Sequence, residues 1–181
     1  DGADDLALGA RFYLARLAEF SAEPADPVLA AAGFRRLIAE HPDSPWAQAA
    51  IARLGILLLY TPAGPAEPAA RMAAADQLLA AARQPLAVAE LHLVMADAVF
   101  HHHLPDRLAL PHLLAALQTG ALDPTTRADV MVQVGEIARL AGEPAQAARY
   151  YQAFLAEYPR DARQYAVRQR LAGLGAAGPA P

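Results

Sequence analysis

The sequence predicts an all-α protein built from antiparallel helix pairs. About a quarter of its residues are alanine, the best helix former. Aromatic residues make up only 7% of the chain and β-branched residues are sparse, which disfavours sheets. The 15 prolines and 11 glycines, which interrupt helices, separate segments of helical length. We therefore expect a series of short helices joined by short loops.

The first predicted helix is defined by apolar residues at helical spacing. These residues are Leu6, Leu14, Leu17 and Phe20. Later helix starts are defined by a capping side chain followed by proline, a residue that fits the first helical turn. The three pairs of this kind are Asp26-Pro27, Ser44-Pro45 and Asp123-Pro124.

Prolines and glycines also mark where helices end. Residues 61–68 hold three prolines and a glycine and predict a loop. Gly120 and Gly142 end the sixth and seventh helices, whereas Pro111 either kinks the sixth or marks its true start. Asp161 is expected to cap the ninth helix. The predicted helices are 4–22, 27–41, 45–60, 68–84, 86–103, 106–119, 124–141, 144–158 and 161–173.

The clearest internal pattern lies in the window 128–161, where five residues have a structural role. Gly135 and Ala147 are expected to face each other where two paired helices cross, because small side chains let backbones approach. Gly142 turns the chain between the helices. Tyr151 fills the space towards the next pair, and Pro159 stops the second helix.

This window resembles the tetratricopeptide repeat position by position. It departs at Met131, where the family has a large aromatic residue, and at Phe154, where the family has alanine. The second departure implies a wider gap between units. The window 11–44 resembles the repeat less fully. Its matching residues are Leu14, Leu17, Ala18, Ala30, Phe34 and Pro42.

The resemblance implies a TPR-like α-α solenoid of about four helix pairs with a C-terminal capping helix, in a single domain 1–174. The expected units are 4–43, 44–86, 87–123 and 124–160, then a cap at 161–173 and a flexible tail at 175–181. The phrase FRRLIAEHPDSPWAQAAIARLG, repeated in outline by YYQAFLAEYPRDARQYAVRQRLAGL, is similar to bacterial envelope members of the family. Those members include outer-membrane assembly lipoproteins and Tol-associated coordinators.

The composition argues against several classes of function. The net charge is −4 and the largest arginine cluster is the pair Arg35–Arg36, so we expect no nucleic-acid partner. The chain has no cysteine, which excludes thiolate metal sites, cysteine nucleophiles and disulfides. The longest apolar run, 51–60, is about half of a membrane span, so no transmembrane segment is expected. The first residue is Asp1, which is consistent with removal of a targeting segment or with a cut chain.

The histidine run is the main candidate for metal binding. His101, His102 and His103 point about 100° apart on a helix and cannot chelate one ion together. Asp97 with His101, and His102 with Asp106, have a workable spacing. His92 and His112 could join only through folding. The alternative interpretation is that imidazoles at a helix C-terminus interact with the helix dipole, and we expect no cofactor.

Catalytic signatures are weak throughout. Ser21 and Ser44 are the only serines, and Ser44 is explained as an N-cap before a proline. The chain has no G-x-S-x-G motif, phosphate loop or dinucleotide fingerprint. The terminal carboxylates Asp4 and Asp5 are expected to be solvated, and Trp46 to be a packing residue. We therefore expect a protein without enzymatic activity.

The function implied by the resemblance is a scaffold that holds other proteins. In a solenoid of this kind the concave face is lined by the first helix of each unit and commonly holds an extended peptide. The candidate partner-binding residues are Arg16, Glu19, Arg53, Glu90, Asp97, Gln133, Glu136 and Arg139. Their charges are of both signs, which favours neither a simple acidic nor a simple basic ligand.

The envelope-like phrases predict a periplasmic or envelope-associated protein, although a cytoplasmic location stays open. The partner would then be another protein, such as a membrane-bound complex in which this chain is an accessory subunit. The alternative is a histidine-based metal- or haem-associated periplasmic protein, which would require ligand histidines that converge in space.

Overall fold

The structure is a computed structural model that describes residues 2–21 and 24–176. Within these ranges the chain forms nine α-helices, two short 3-10 segments and no β-strand, so the all-α prediction is confirmed. The helices are α1 (Gly2–Phe20), α2 (Pro27–Glu40), α3 (Pro45–Tyr60), α4 (Pro68–Asp76), α5 (Pro85–His101), α6 (Ala109–Gln118), α7 (Pro124–Leu140), α8 (Pro144–Glu157) and α9 (Gln164–Ala176). Most of the predicted tail, 177–181, lies outside the described residues.

The three predicted cap–proline starts are confirmed. In each case a side-chain oxygen of Asp26, Ser44 or Asp123 accepts a hydrogen bond from the backbone N–H three residues further on, at 2.8, 3.0 and 3.1 Å. Each bond satisfies a donor that has no partner within the helix, and such a cap stabilises a helix by about 1 kcal/mol. These starts lie where predicted because the chemistry that sets them is local.

The fourth helix is shorter than predicted, and a buried side chain binds the backbone that follows it. The α-helix ends at Asp76 and continues as a 3-10 segment, Gln77–Ala81, instead of reaching residue 84. The buried Gln48 of α3 accepts hydrogen bonds from the backbone N–H groups of Arg83 and Gln84 at 2.8 and 3.0 Å. Those two N–H groups therefore bond to α3 instead of continuing α4.

Two further helix starts differ from the prediction. Residues Asp106–Leu108 form a 3-10 segment and α6 begins at Ala109, so Pro111 lies in the first turn, where its missing N–H is not needed. Pro111 thus marks a true start and not a kink. Asp161 does not cap a helix that begins beside it. It accepts from the backbone N–H of Arg163 at 2.9 Å, and α9 starts one residue later.

Helices that follow each other in sequence pack against each other along most of the chain, as in a stacked solenoid. The hairpins α1–α2, α5–α6 and α7–α8 have the most extensive contacts, and α3 packs directly on α5 beside the short α4. The core has two clusters, and α5 contributes to both. Leu91, Met95 and Ala98 face the first cluster, while Ala96 and Val99 face the second. A central helix that is apolar on two sides joins the halves of the protein.

The apolar stripe that predicted α1 does not face the core. Leu14 and Leu17 are exposed, whereas Phe12 and Ala15 on the other side of the helix are buried. Periodicity identified the helix correctly, but α1 is apolar on two sides and only the position of α2 and α3 decides which side is covered. The covered side also includes Gly9, packed against Trp46.

Small residues permit close helix packing, although the neighbour of Gly135 is not the one expected. A Cβ added at Gly135 would lie 2.4 Å from the Cε1 atom of Tyr151, and the three nearest heavy atoms all belong to that ring. Ala147 and Tyr151 are both fully buried. Gly135 therefore makes room for the tyrosine ring more directly than for the alanine.

Trp46 is a packing residue at the edge of the first core cluster, as predicted. Its ring lies 5.6 Å from the ring of Phe12 and 5.7 Å from that of Tyr13. Its indole N–H donates a hydrogen bond to Asp5 at 2.9 Å, so this carboxylate is not simply solvated. The indole thus ties the start of α1 to the start of α3.

None of the helices in the described part of the chain is long and apolar enough to cross a membrane.

Candidate functional site

The first helices of the first three units form one continuous wall. Helix α3 packs against α1 on one side and α5 on the other. This wall carries five of the eight candidate binding residues. They are Arg16, Glu19, Arg53, Glu90 and Asp97. The other three lie on α7, which is linked to α5 mainly through α6 and the 3-10 segment before it.

Arg16, Glu19 and Arg53 form a charged group between α1 and α3. The Glu19 side chain is only 6% exposed, and its Oε2 atom lies 3.4 Å from the Nε atom of Arg16. Neither of these two atoms has a hydrogen-bond partner. Burial raises the pKa of the Glu19 carboxyl, while Arg16 and then Arg53 act in the opposite direction. The Glu19 carboxylate is thus largely removed from water, and the nearby charges of Arg16 and Arg53 favour its ionised form.

The geometry of this group favours Arg53 over Glu19 as a residue that contacts a partner. A carboxylate that is almost fully covered cannot reach a ligand without a change of rotamer. Arg53 is only half-buried, and among the described residues it has no hydrogen-bonded partner. Its guanidinium has five N–H donors, which suit a carboxylate or backbone carbonyls.

Between α3 and α5 the wall contains a shallow depression of about 430 Å³. It is lined by Ile56, Tyr60, Leu93, Val94 and Asp97. The Tyr60 hydroxyl donates a hydrogen bond to Asp97 at 2.9 Å, and burial together with this carboxylate raises the pKa of Tyr60 well above its usual range. The depression combines apolar walls with one fixed carboxylate. It therefore suits a ligand that has an apolar side chain next to a hydrogen-bond donor.

The second group of predicted residues centres on Glu136 of α7. Its carboxylate accepts hydrogen bonds from Arg139 at 2.6 Å and from the Tyr151 hydroxyl at 2.8 Å. Arg170 of α9 adds an ion pair at 3.5 Å. These cations and donors lower the pKa of Glu136, Arg139 having the largest effect. Burial, followed by the hydrogen bond to Glu136, raises the pKa of Tyr151 to about 12.

Two predicted residues stand apart from these groups. Glu90 and Gln133 are exposed on their helices. Sequence reasoning did not identify Tyr60 and Arg170. Tyr60 lies two helical turns after Arg53 on the same side of α3, so its spacing was a usable signal. Arg170 has no such signal, because only the packing of α9 on α8 brings it to Glu136.

The histidine run is used structurally. The Nε2 atom of His102 lies 2.7 Å from the backbone carbonyl oxygen of Leu59, and the ring of His101 contacts Tyr60 edge-on with ring centres 4.8 Å apart. His103 has a positive φ of 54° and ends the helix. In the part of the chain that the structure describes, no three histidine, aspartate or glutamate residues are arranged to hold a metal ion.

Folding does bring two other histidines together. The Nδ1 atoms of His92 on α5 and His112 on α6 lie 3.1 Å apart, so one ring donates to the other. Burial lowers the pKa of both, while the charge of Asp76 acts in the opposite direction. The pair is half-buried between two helices.

Comparison with known proteins agrees with the strongest part of the sequence pattern. Residues 129–161 match the tetratricopeptide repeat family, a segment that covers most of α7 and all of α8. Together with the helical architecture, this match confirms an all-α, TPR-like solenoid. Repeats of this family generally mediate protein–protein interaction. No curated protein and no solved structure gives a match to the chain.

Proposed function

We propose that this protein is a non-catalytic interaction module that holds a polypeptide partner on the surface formed by the first helices of its units. The observation that carries the proposal is the character of that surface. It combines half-exposed arginine, tyrosine and fixed carboxylates with a shallow apolar depression between α3 and α5. Such a mixture suits a chain with backbone donors, acceptors and occasional apolar side chains.

The charge arrangement supports a polypeptide more than a small ionic ligand. Glu136 is surrounded by Arg139 and Arg170, and Glu19 by Arg16 and Arg53, so neither group presents a large field of one sign. Charges of this kind give orientation and specificity at an interface more than raw affinity.

We further propose that the partner belongs to a cell-envelope complex of which this chain is an accessory subunit. The support is the similarity of the 34–55 and 150–174 segments to envelope members of the repeat family. Fractionation of native cells with an antibody against the chain tests the location. Recovery in the cytoplasmic fraction alone would refute the envelope proposal while leaving the interaction role intact.

A charge-swap experiment tests the binding surface. Glu136→Arg combined with Arg139→Glu reverses both charges without altering net charge. The matched control is Arg127→Glu with Glu157→Arg, a swap of an ion pair at 3.1 Å on the opposite side of α7. Like charges brought together at an interface cost several kcal/mol, so the first swap should weaken partner capture from native extracts and the control should not.

The comparison requires that both variants are folded, so a thermal melt of each variant is measured beside the capture experiment. Equal capture by the wild type and the Glu136/Arg139 swap would exclude the α7 end of the surface. Turnover of a small molecule by the purified chain, with no protein partner captured, would overturn the non-catalytic proposal.

A further inference from the structure

One side of α1 is an uncovered apolar surface. Seven large apolar residues at this end of the protein are between 53% and 77% exposed. They are Leu6, Tyr13, Leu14, Leu17, Phe20, Val28 and Leu29. Asp4, Asp5 and Glu19 of α1 lie off this stripe, whereas the Arg16 guanidinium lies 4.9 Å from the centre of the Phe20 ring at its edge. We define these seven residues, together with Ala10, as the α1 face.

The same repeat positions are covered at the other end of the molecule. By repeat register, Leu14 and Leu17 of α1 correspond to Met131 and Val134 of α7. Met131 and Val134 are fully buried in the cluster that also contains Leu113 of the preceding helix α6. The α1 face is therefore a surface for helix stacking that has no helix on it within the described chain.

The area of the α1 face exceeds what a monomer ordinarily exposes. An aromatic side chain presents roughly 150–250 Å² when fully exposed, and leucine and valine present somewhat less, so the seven residues at these exposures present on the order of 700 Å². The largest apolar patch of a typical monomer is about 300–600 Å². One partner of a stable complex buries about 800 Å². The α1 face alone nearly supplies one side of such an interface.

We propose that the α1 face binds the α1 face of a second copy, forming an antiparallel two-fold dimer. Leu6, Ala10, Tyr13, Leu17 and Phe20 follow one another in alternate steps of four and three residues, the spacing of a two-helix seam. In an antiparallel pair the large Tyr13 can lie opposite the small Ala10 of the second copy, and Leu6 opposite Leu17 of that copy. The face is thus complementary to itself, as a two-fold interface requires.

The opposite end of the molecule does not offer an alternative occupant. Helix α9 exposes Arg168 and Gln169 beside Tyr165, which is 76% exposed, so its outer side is mixed and more polar than the α1 face. Stacking of α9 on the α1 face of a neighbour would remove these polar groups from water against an apolar surface. Head-to-tail assembly into a filament is disfavoured for that reason, and head-to-head pairing through α1 is favoured.

The groove beside the stripe also fits an apolar occupant. It has a volume of about 540 Å³ between α1 and α2 and includes Leu14 and Leu29 in its lining. The two arginines at its rim, Arg11 and Arg36, both bond to Glu40, at 2.8 and 2.7 Å. Because these two arginines share one carboxylate, the rim keeps a net positive charge on exposed side chains, and the fit to an apolar occupant rests on the apolar lining between them.

The experiment measures mass in solution over a concentration series, by light scattering or analytical ultracentrifugation. The wild-type chain should have twice the mass of one chain, 19.1 kDa, and dissociate on dilution. Leu17→Arg should be monomeric at concentrations where the wild type is dimeric. Leu140→Arg is the matched control, because Leu140 is 64% exposed on α7, away from the α1 face, and this variant should remain dimeric.

A cross-linking measurement gives an independent readout that does not require a disruptive substitution. The chain has no cysteine, so Ala10→Cys and Leu140→Cys each carry a single thiol. A short bis-maleimide should link Ala10→Cys chains into covalent dimers and leave Leu140→Cys chains uncrosslinked. A wild-type chain that stays monomeric throughout, equal masses for Leu17→Arg and the wild type, or a series of masses indicating head-to-tail growth would each overturn the proposal.

Discussion

Substitution of Gly135 by alanine tests the tightest contact between two helices. The added Cβ would lie 2.4 and 2.6 Å from two ring carbons of Tyr151, far inside van der Waals contact. The ring is fully buried and its hydroxyl bonds to Glu136 at 2.8 Å, so it cannot simply swing aside. Either α7 and α8 move apart, or the ring moves and the hydrogen bond to the carboxylate is lost.

The expected loss of stability combines two destabilising contributions and one stabilising contribution. Overpacking costs about 1–3 kcal/mol, and loss of a hydrogen bond to a charged group costs about 1.5–3 kcal/mol. Replacing glycine by alanine inside a helix returns about 1 kcal/mol. We expect a net loss of about 2 kcal/mol, or a melting temperature lower by about 4–8 °C for a domain of this size. Gly135→Leu should cost more.

The assay is a thermal or urea melt followed by circular dichroism. Gly173→Ala is the matched control, because a Cβ at Gly173 of α9 meets no atom within 4 Å. That control should be neutral or slightly stabilising. If Gly135→Ala behaves like Gly173→Ala, the close approach of α7 and α8 at this position is wrong. Relief of the Gly135→Ala loss by Tyr151→Leu in the double variant would identify the ring as its cause.

Three further predictions concern stability, pH and metal. Gln48→Leu should lower the free energy of unfolding by about 2 kcal/mol, because the backbone N–H groups of Arg83 and Gln84 lose the acceptor that the buried Gln48 side chain provides. Gln152→Leu, at an exposed site, should change it by less than about 0.5 kcal/mol. The wild type should lose stability in urea melts as the pH falls below about 6.5, the usual pKa of histidine in an unfolded chain. Folding lowers the pKa of His92 and of His112, so in this pH range the unfolded state binds more protons than the folded state and is favoured. A His92→Gln, His112→Gln variant should show a flatter profile, and an equal slope would contradict this assignment. Elemental analysis should find no stoichiometric zinc or nickel and absorbance no haem, because the histidine run diverges; one bound metal per chain would contradict the expectation.

The grouping of side chains on the proposed interaction surface could be predicted in part because helical spacing is regular. Arg16, Glu19 and Arg53 were placed on one face by register, and the structure brings them together between α1 and α3. Glu136 and Arg139 were likewise predicted together and form an ion pair. Tyr60 and Arg170 complete these groups from positions that depend on the packing of neighbouring helices.

The sequence by itself determined the helices and most of their ends. Asp26, Ser44 and Asp123 fix helix starts through bonds that reach only three residues along the chain. Interactions of that range can be deduced from local sequence, because no distant residue is needed to complete them.

Only the tertiary structure decided which surfaces are covered. Helix α1 is apolar on two sides, and the contact of Phe12 with Phe34, at 5.6 Å between ring centres, turns Leu14 and Leu17 towards solvent. Gln48 fixes the backbone that follows α4 through bonds to residues about 35 positions away in the chain. Burial is a property of the assembled helices, so a periodic pattern can state that a stripe is apolar but not which neighbour, if any, lies against it.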